Sequence, residues 1–366
     1  MFNGVEIDGS VTLNAANGYT WTQSSGNASE WYVKRSDGSN PSLLQVFGGT
    51  MDGEFVDDSA DLSLDMGTVG ALTTLSPWGW GDNDSIGYST LYVMSTVDPG
   101  LRVIKAAQVL AGIKTTWQYH SFEDGIISHI NRDSGDSVGG AGIWNASGTQ
   151  WWAKRMLVRW TIMNGFRSAS SSLTRVDSSV TYFAGHRGHY VSGDSTHMVH
   201  NCLDYGSHLF GLIGASVTSA GSLTIYNSVS VFNEAGAIDK KSATAVLDEG
   251  YNVWYPRFGA AGAALGYVST ANWTTTAATD YPPSAATTIS TLVANVSAGA
   301  KNPQLKSPSS NSFTATDMIP TNSDAVRGNG MPVFFLRDFT GKRFRSSSPD
   351  RGPWLSTASS LRATRN

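Results

Sequence analysis

Five of the seven histidines fall between His186 and His208, crowded enough to invite a transition-metal site. His186 and His189 are three apart, as are His197 and His200, and on a regular strand an odd separation points two rings to opposite faces. A bend would have to restore the geometry. Histidines that face solvent or are satisfied within a stack need no such bend, so no metal is assigned. Asp82-Asn-Asp84-Ser-Ile-Gly87 opens like a calcium loop, with oxygen side chains at alternate positions and a glycine in sixth place. It lacks an oxygen at the fifth place, Ile86, and at the twelfth, Val93. Asp57, Asp58, Asp61 and Asp65 add carboxylates nearby, and solvated turns account for them all.

Cutting a polysaccharide takes one carboxyl as acid and a second as base or nucleophile. The pairs on offer are Asp194 with Asp204, Glu234 with Asp239, and Asp248 with Glu249, none inside a lyase or hydrolase motif. Neighbours such as Asp248 and Glu249 point apart on a strand. These read as turn carboxylates that cap loops, and no catalytic residue is assigned. Trp78, Trp80, Trp151, Trp152 and Trp254, with Trp273, are candidates for stacking on sugar rings or for a protein interface, two roles that favour tryptophan equally. Cys202 reads as a small buried filler. A Ser-His-Asp triad finds no Gly-x-Ser-x-Gly elbow to support it.

The elements that would position these residues are short strands. Gly, Ser, Thr, Asn and Ala crowd nearly every segment and are interrupted by brief runs of Val, Ile, Leu, Tyr and Trp, the rhythm of an all-β protein. Two stretches are compatible with helix, Pro99 to Leu110 and the alanine-rich Ser284 to Ala300. Glu30 to Pro41 and Ser89 to Pro99 are similar passages, each a strand followed by a polar turn ending in proline, and they predict a small front domain of related hairpins around Trp78-Gly-Trp80-Gly-Asp-Asn-Asp84.

Asparagines close short apolar runs at Asn164, Asn201, Asn227 and Asn252, the last three 26 and 25 residues apart, with Tyr182-Phe-Ala-Gly185 filling the wider gap. A strand–turn signature recurring every ~20 to 26 residues is a solenoid signal. Stacked at ~4.8 Å, like residues sit above one another, and asparagines at a bend can hydrogen-bond along the stack. Roughly eight such coils would make a rod on the order of 40 Å long. The alternative is an irregular β-sandwich with coincidental spacing. The expected organisation is a front β domain over 1–115, a connector over 116–154, a right-handed parallel β-helix over 155–345 and a tail over 346–366.

Composition bounds the function. Charged residues make up only 15% of the 366, too few for a coiled coil or a charged disordered tail, and the aromatic share of 11% is too high for a linker. A net charge of −4 leaves no basic field for nucleic acid, apart from a local tip at Arg337, Lys342, Arg343, Arg345 and Arg351. One cysteine makes neither an internal disulfide nor a cysteine metal cage. No run approaches the ~18 apolar residues of a membrane span, and the start shows no export signal, so synthesis in the cytoplasm is expected.

Both ends resemble the pectate-lyase-like class of right-handed parallel β-helix proteins, many of them encoded by bacteriophages. Asn302-Pro-Gln-Leu305, Asn311-Ser-Phe313, Ser323-Asp-Ala325 and Gly328 follow the first half of a closing passage found in such chains. Asp338-Phe-Thr-Gly341, Arg343 or Arg345, and Pro349-Asp-Arg-Gly352 follow its second half, with Pro353-Trp-Leu in place of the usual Ala-x-Glu. At the front, Trp80-Gly-Asp-Asn-Asp84, Leu91-Tyr-Val93 and Asp98-Pro99 resemble a module of phage β-helix proteins. The resemblance implies a structural protein on the virion exterior, a head decoration protein or tail-associated spike, without cofactor. Its expected partners are itself as a homotrimer, other capsid or tail proteins, and host surface polysaccharide. A polysaccharide-cleaving or carbohydrate-binding β-helix protein is the rival, and a surface adhesin comes third.

Overall fold

The computed structural model describes residues 5–256 apart from short stretches, the longest being 36–49, 56–79, 83–90, 131–139 and 206–212, and beyond them residues 273–275 and 337–338. Among the described residues there is no α-helix. Strands dominate, most of them paired in parallel.

Three sheets carry most of the chain. The first holds Glu6–Asp8, Ile126–Ile130, Leu157–Thr161, Val180–Ala184, Leu203–Tyr205, Val229–Asn233 and Val253–Pro256. The second holds Ala111–Thr115, Ala141–Asn145, Asn164–Ser168, Arg187–Val191, Ile213–Val217 and Gly236–Lys240. The third holds His120–Glu123, Gln150–Lys154, Leu173–Asp177, Thr196–His200, Ser222–Tyr226, Val246–Gly250 and Trp273–Thr275. Between residues 111 and 256 the described strands visit second, third and first sheet in rotation, so each strand from Ala111–Thr115 to Val229–Asn233 that has a later partner in this range pairs in parallel with the third one after it, up to Ser222–Tyr226 with Val246–Gly250 and Val229–Asn233 with Val253–Pro256. Met198 lies opposite Thr224 in a parallel register, and Ile225, opposite Val199, is 1% exposed. The ladders therefore run through 116–154, the stretch read from sequence as a connector.

Side-chain alternation, with its period of two, gives each sheet a buried row and an outward row. In the third sheet Trp151, Thr174, His197, Leu223 and Leu247 are buried, while Trp152, Arg175, Met198, Thr224 and Asp248 are half-exposed. Buried residues of the other two sheets include Ile127, Val158, Thr181 and Asp204 from the first and Ile143, Phe166 and His189 from the second. Where the first and second sheets face each other, glycine occupies the second place of five successive strands, Gly112, Gly142, Gly165, Gly188 and Gly214. A Cβ at Gly165 would stand 2.4 Å from Thr181 Cγ2 and 2.7 Å from the Gly188 carbonyl, so only glycine admits the opposing side chain.

The third sheet passes to the first through two-residue turns. Asp124, Arg155, Ser178, Asn201 and Asn227 hold the left-handed first position, with φ between 49° and 59°. Asn and Asp tolerate that region best, which accounts for the asparagine signal. Asn252 stands one place later, immediately before Val253, and so is equivalent to Cys202 and Ser228 instead of Asn201 and Asn227. Asn164 is not at this bend at all. It opens a strand of the second sheet and donates Nδ2 to the Gly140 carbonyl at 3.1 Å.

The front of the chain forms an antiparallel sheet in which Glu30–Arg35 pairs with Tyr19–Gln23 and Leu91–Met94, the last also pairing Trp80–Asp82. The two similar passages thus lie side by side, Tyr32 opposite Tyr92. Pro99 to Leu110 departs from the helical expectation: a 3-10 turn at Pro99–Leu101 gives way to a strand at Lys105–Ala107, paired antiparallel with Ser10–Thr12. The other helical stretch, Ser284 to Ala300, lies outside the described residues. Glu6–Asp8 lies in parallel on Ile126–Ile130 at one end of the first sheet, and Trp273–Thr275 turns antiparallel on Val246–Gly250 at the far end of the third.

Candidate functional site

The outward face of the third sheet carries a shallow groove of about 250 Å³ lined by Glu123, Trp152, Lys154, Arg155, Asp177, Ser178 and Arg337. Register places Glu123, Lys154, Asp177 and His200 side by side on consecutive strands, so Lys154 stands between two carboxylates at the strand spacing. Lys154 Nζ lies 2.6 Å from Glu123 Oε1, and Arg155 reaches Glu123 at 3.1 Å and Asp124 at 2.7 Å. Asp177, its side chain only 3% exposed, takes an ion pair from Arg175 at 2.7 Å, a contact from His200 Nδ1 at 3.0 Å and a hydrogen bond from the Trp152 indole N–H. The half-buried Trp152 ring has Lys154 Nζ at 3.5 Å and the Arg175 guanidinium at 4.5 Å, both in cation–π range. Ser178 Oγ donates to the Arg337 carbonyl, which brings the distant 337–338 segment to the rim.

The hydrogen bond from Lys154 holds the Glu123 carboxyl below its ordinary value, and Arg155 does the same for Asp124. A general acid needs the opposite shift. The groove thus presents an aromatic face beside carboxylates paired with fixed cations.

The sequence-derived candidates scatter. Asp194 is exposed in the turn before Thr196, where Ser171 Oγ donates to it, whereas Asp204 is buried in the first sheet, so the two form no pair. Asp248 lies on the outward row and accepts from Tyr226 O–H at 2.6 Å. Glu249 follows it in the same strand. Glu234 and Trp78 lie outside the described residues. Trp80 and Trp254 belong to strands at Trp80–Asp82 and Val253–Pro256, and Trp273 opens the antiparallel end strand. Trp151, expected outside, is 3% exposed and packs edge-on against Phe122, because it occupies the inward phase of its strand while Trp152 takes the outward one. Of the tryptophans proposed for stacking, Trp152 is the one placed at a described groove.

Two arrangements escaped the sequence reading. The first is a row at the second turn position, Gly125, Met156, Ser179, Cys202, Ser228 and Asn252. Backbone N–H groups donate to the next side chain along it: Gly125 to Met156 Sδ, Met156 to Ser179 Oγ, Cys202 to Ser228 Oγ and Ser228 to Asn252 Oδ1, at 2.8–3.4 Å. The Ser179 backbone bonds the Cys202 thiol, whose pKa burial pushes well up. From Met156 onward the position supplies an acceptor atom, which Met, Ser, Cys and Asn all carry, so no single residue type marks it.

The second is a buried polar chain in which the three sheets meet. Ser168 Oγ lies 2.7 Å from His197 Nδ1, His197 Nε2 lies 3.2 Å from His189 Nδ1, and His189 Nε2 lies 3.4 Å from Asp204 Oδ1. Thr181 donates to Asp204, Ser168 donates to Thr174 at 2.6 Å, and Asn145 donates to Thr174 at 3.0 Å and accepts from Thr149. All eight residues are buried. The histidine cluster thus divides, His189 and His197 inward and His200 outward, and among the described residues no three metal-ligating side chains converge. Compared with known proteins, the chain matches no family model, no curated protein and no solved structure.

Proposed function

We propose that the chain winds as a right-handed parallel β-helix behind a small antiparallel domain, and that it serves as a structural protein on the exterior of a bacteriophage particle. The strict rotation of strands among three sheets supports the helix, and the strong right-handed preference of crossovers between parallel strands supports its hand. The virion reading rests on the likeness of the two ends to phage β-helix proteins, as a head decoration protein or tail spike. One observation carries the non-enzymatic half: the carboxylates of the groove are engaged by neighbouring cations, while Asp204 is sealed in the core.

Assembly, as a homotrimer or on a capsid or tail lattice, is supported by Trp117 and Tyr119, which are 74% and 75% exposed on one turn. The direct test is cryo-EM of particles labelled on this protein. Label at regular exterior positions is expected, and virions without label would overturn the assignment. Light scattering should accordingly give a trimer, or a monomer that binds capsid or tail protein.

Trp152 favours a second reading, in which the groove holds host surface polysaccharide without cutting it. Calorimetry with capsule or lipopolysaccharide fragments should show binding that Trp152→Ala abolishes, with no oligosaccharide released.

A further inference from the structure

We propose that the second and third sheets begin in an open edge that accepts a donated β-strand, an extended segment of another protein laid along Ala111–Thr115 and His120–Glu123 and anchored by Trp117 and Tyr119. The first sheet begins one strand earlier than the other two, because Glu6–Asp8 lies on Ile126–Ile130. Ala111–Thr115 and His120–Glu123 are the end strands of their sheets, each paired on one side alone among the described residues. The core shows the same deficit. Ile113, His120 and Phe122 are half-exposed, whereas Ile143, Trp151 and Ala153, opposite them on the next strands, are 0%, 3% and 0% exposed. His120 Nε2 is shielded from solvent without a hydrogen-bond partner among the described residues.

A row of N–H and C=O groups along a sheet edge is met by an extended backbone, so the occupant is a strand. The step beside Glu6–Asp8 is one strand deep, about 4.8 Å. A second copy meeting this one, same end to same end, would bring its own Glu6–Asp8, and the extra strands would leave at least one pair of edges a strand apart. A single extended segment fits the step. Lys114, exposed with its Nζ 4.0 Å from the Trp144 ring, calls for a carboxylate opposite it, as Lys154 has in Glu123 and Asp177. Both Glu123 oxygens are engaged by Lys154 and Arg155, so the residue beside it is neutral. Over Ile113 and Phe122 the segment carries apolar side chains. The turn between the two edges is fixed, with Trp117 N–H donating to Thr115 Oγ1 at 3.1 Å and Tyr119 at a left-handed φ of 62°. Its exposed rings supply the aromatic anchor. The inference rests on the assembly role given to Trp117 and Tyr119, but not on a virion.

The test uses the intact chain and two synthetic peptides of residues 141–154, a segment with the same strand–turn–strand layout as 111–123. One peptide carries Trp144→Asp and the other Trp144→Lys, at the position that stands opposite Lys114 in the register. Hydrogen exchange read by mass spectrometry should find 111–115 and 120–123 faster than 141–145 and 150–154 in the free chain, and slowed when the first peptide is added. Fluorescence anisotropy should show that peptide binding about fivefold to tenfold more tightly than the second. Trp117→Ala with Tyr119→Ala should cost about tenfold in affinity and leave the melting temperature unchanged. Edges already as protected as the next strands, protection that appears only as the chain concentrates into a dimer, or no slowing with either peptide would overturn the proposal. Protection by the peptide in a chain that labels no virion would uphold it and sink the virion reading alone.

Discussion

Ile225 shows how sharply single positions are determined. It is 1% exposed on the inward row of the third sheet, between Val199 and the next strand. Ile225→Asp would bury an unpaired carboxyl, and urea unfolding should show a loss of several kcal/mol, about 3 or more. Acid acts on other residues. His189 and His197 are held neutral by burial, and Glu123 and Asp124 are held ionised by Lys154 and Arg155. Unfolding below about 6.5 therefore lets the two histidines take up protons, and below about 4.5 the two carboxylates add to the effect. Asp204 partly offsets this, so the urea midpoint should decline as pH falls from 6.5 to 4, and His189→Gln with His197→Gln should reduce the slope. At this scale the sequence told part of the story. Asn201 and Asn227 were legible because left-handed turns select asparagine, whereas Asn252 carries the same letter for a different reason, an acceptor for Ser228 N–H.

The elements owe their arrangement to spacing more than to residue preference. The glycine column from Gly112 to Gly214 lets the second sheet approach Ile127, Val158 and Thr181 of the first. Gly165→Ala should cost about 1–3 kcal/mol in chemical unfolding, because the neighbours of the added methyl include the Gly188 carbonyl as well as Thr181. An equally small change at Gly148, where nothing lies within 4 Å, meets no such obstruction and tests only its positive φ. Strand content and the parallel register of 198–200 with 224–226 followed from periodicity. The segment from Pro99 to Leu110 did not, since apolar residues near helical spacing are overridden by pairing with Ser10–Thr12. Trp151 and Trp152 illustrate the remaining difficulty: adjacent residues on a strand face opposite ways, and which one faces out depends on a phase that neighbouring strands set.

For the whole molecule we propose that the parallel strands stack as coils of one rod. Ser121, Trp152, Arg175, Met198, Thr224 and Asp248 lie in register on six consecutive strands of the third sheet. Five inter-strand steps separate the ends of that row, which places Ser121 and Asp248 on the order of 24 Å apart. Cys202 is 1% exposed and its thiol is held protonated by burial, so it stays inert toward a thiol-directed label. Spin labels at Ser121→Cys and Asp248→Cys, read by pulsed electron resonance, measure the separation directly. A single narrow distribution near 24 Å, within label reach, is the result the stacked rod predicts, and a pair at Ser121→Cys and Thr224→Cys should be shorter by about one strand spacing. A broad distribution, or equal distances for the two pairs, would contradict it.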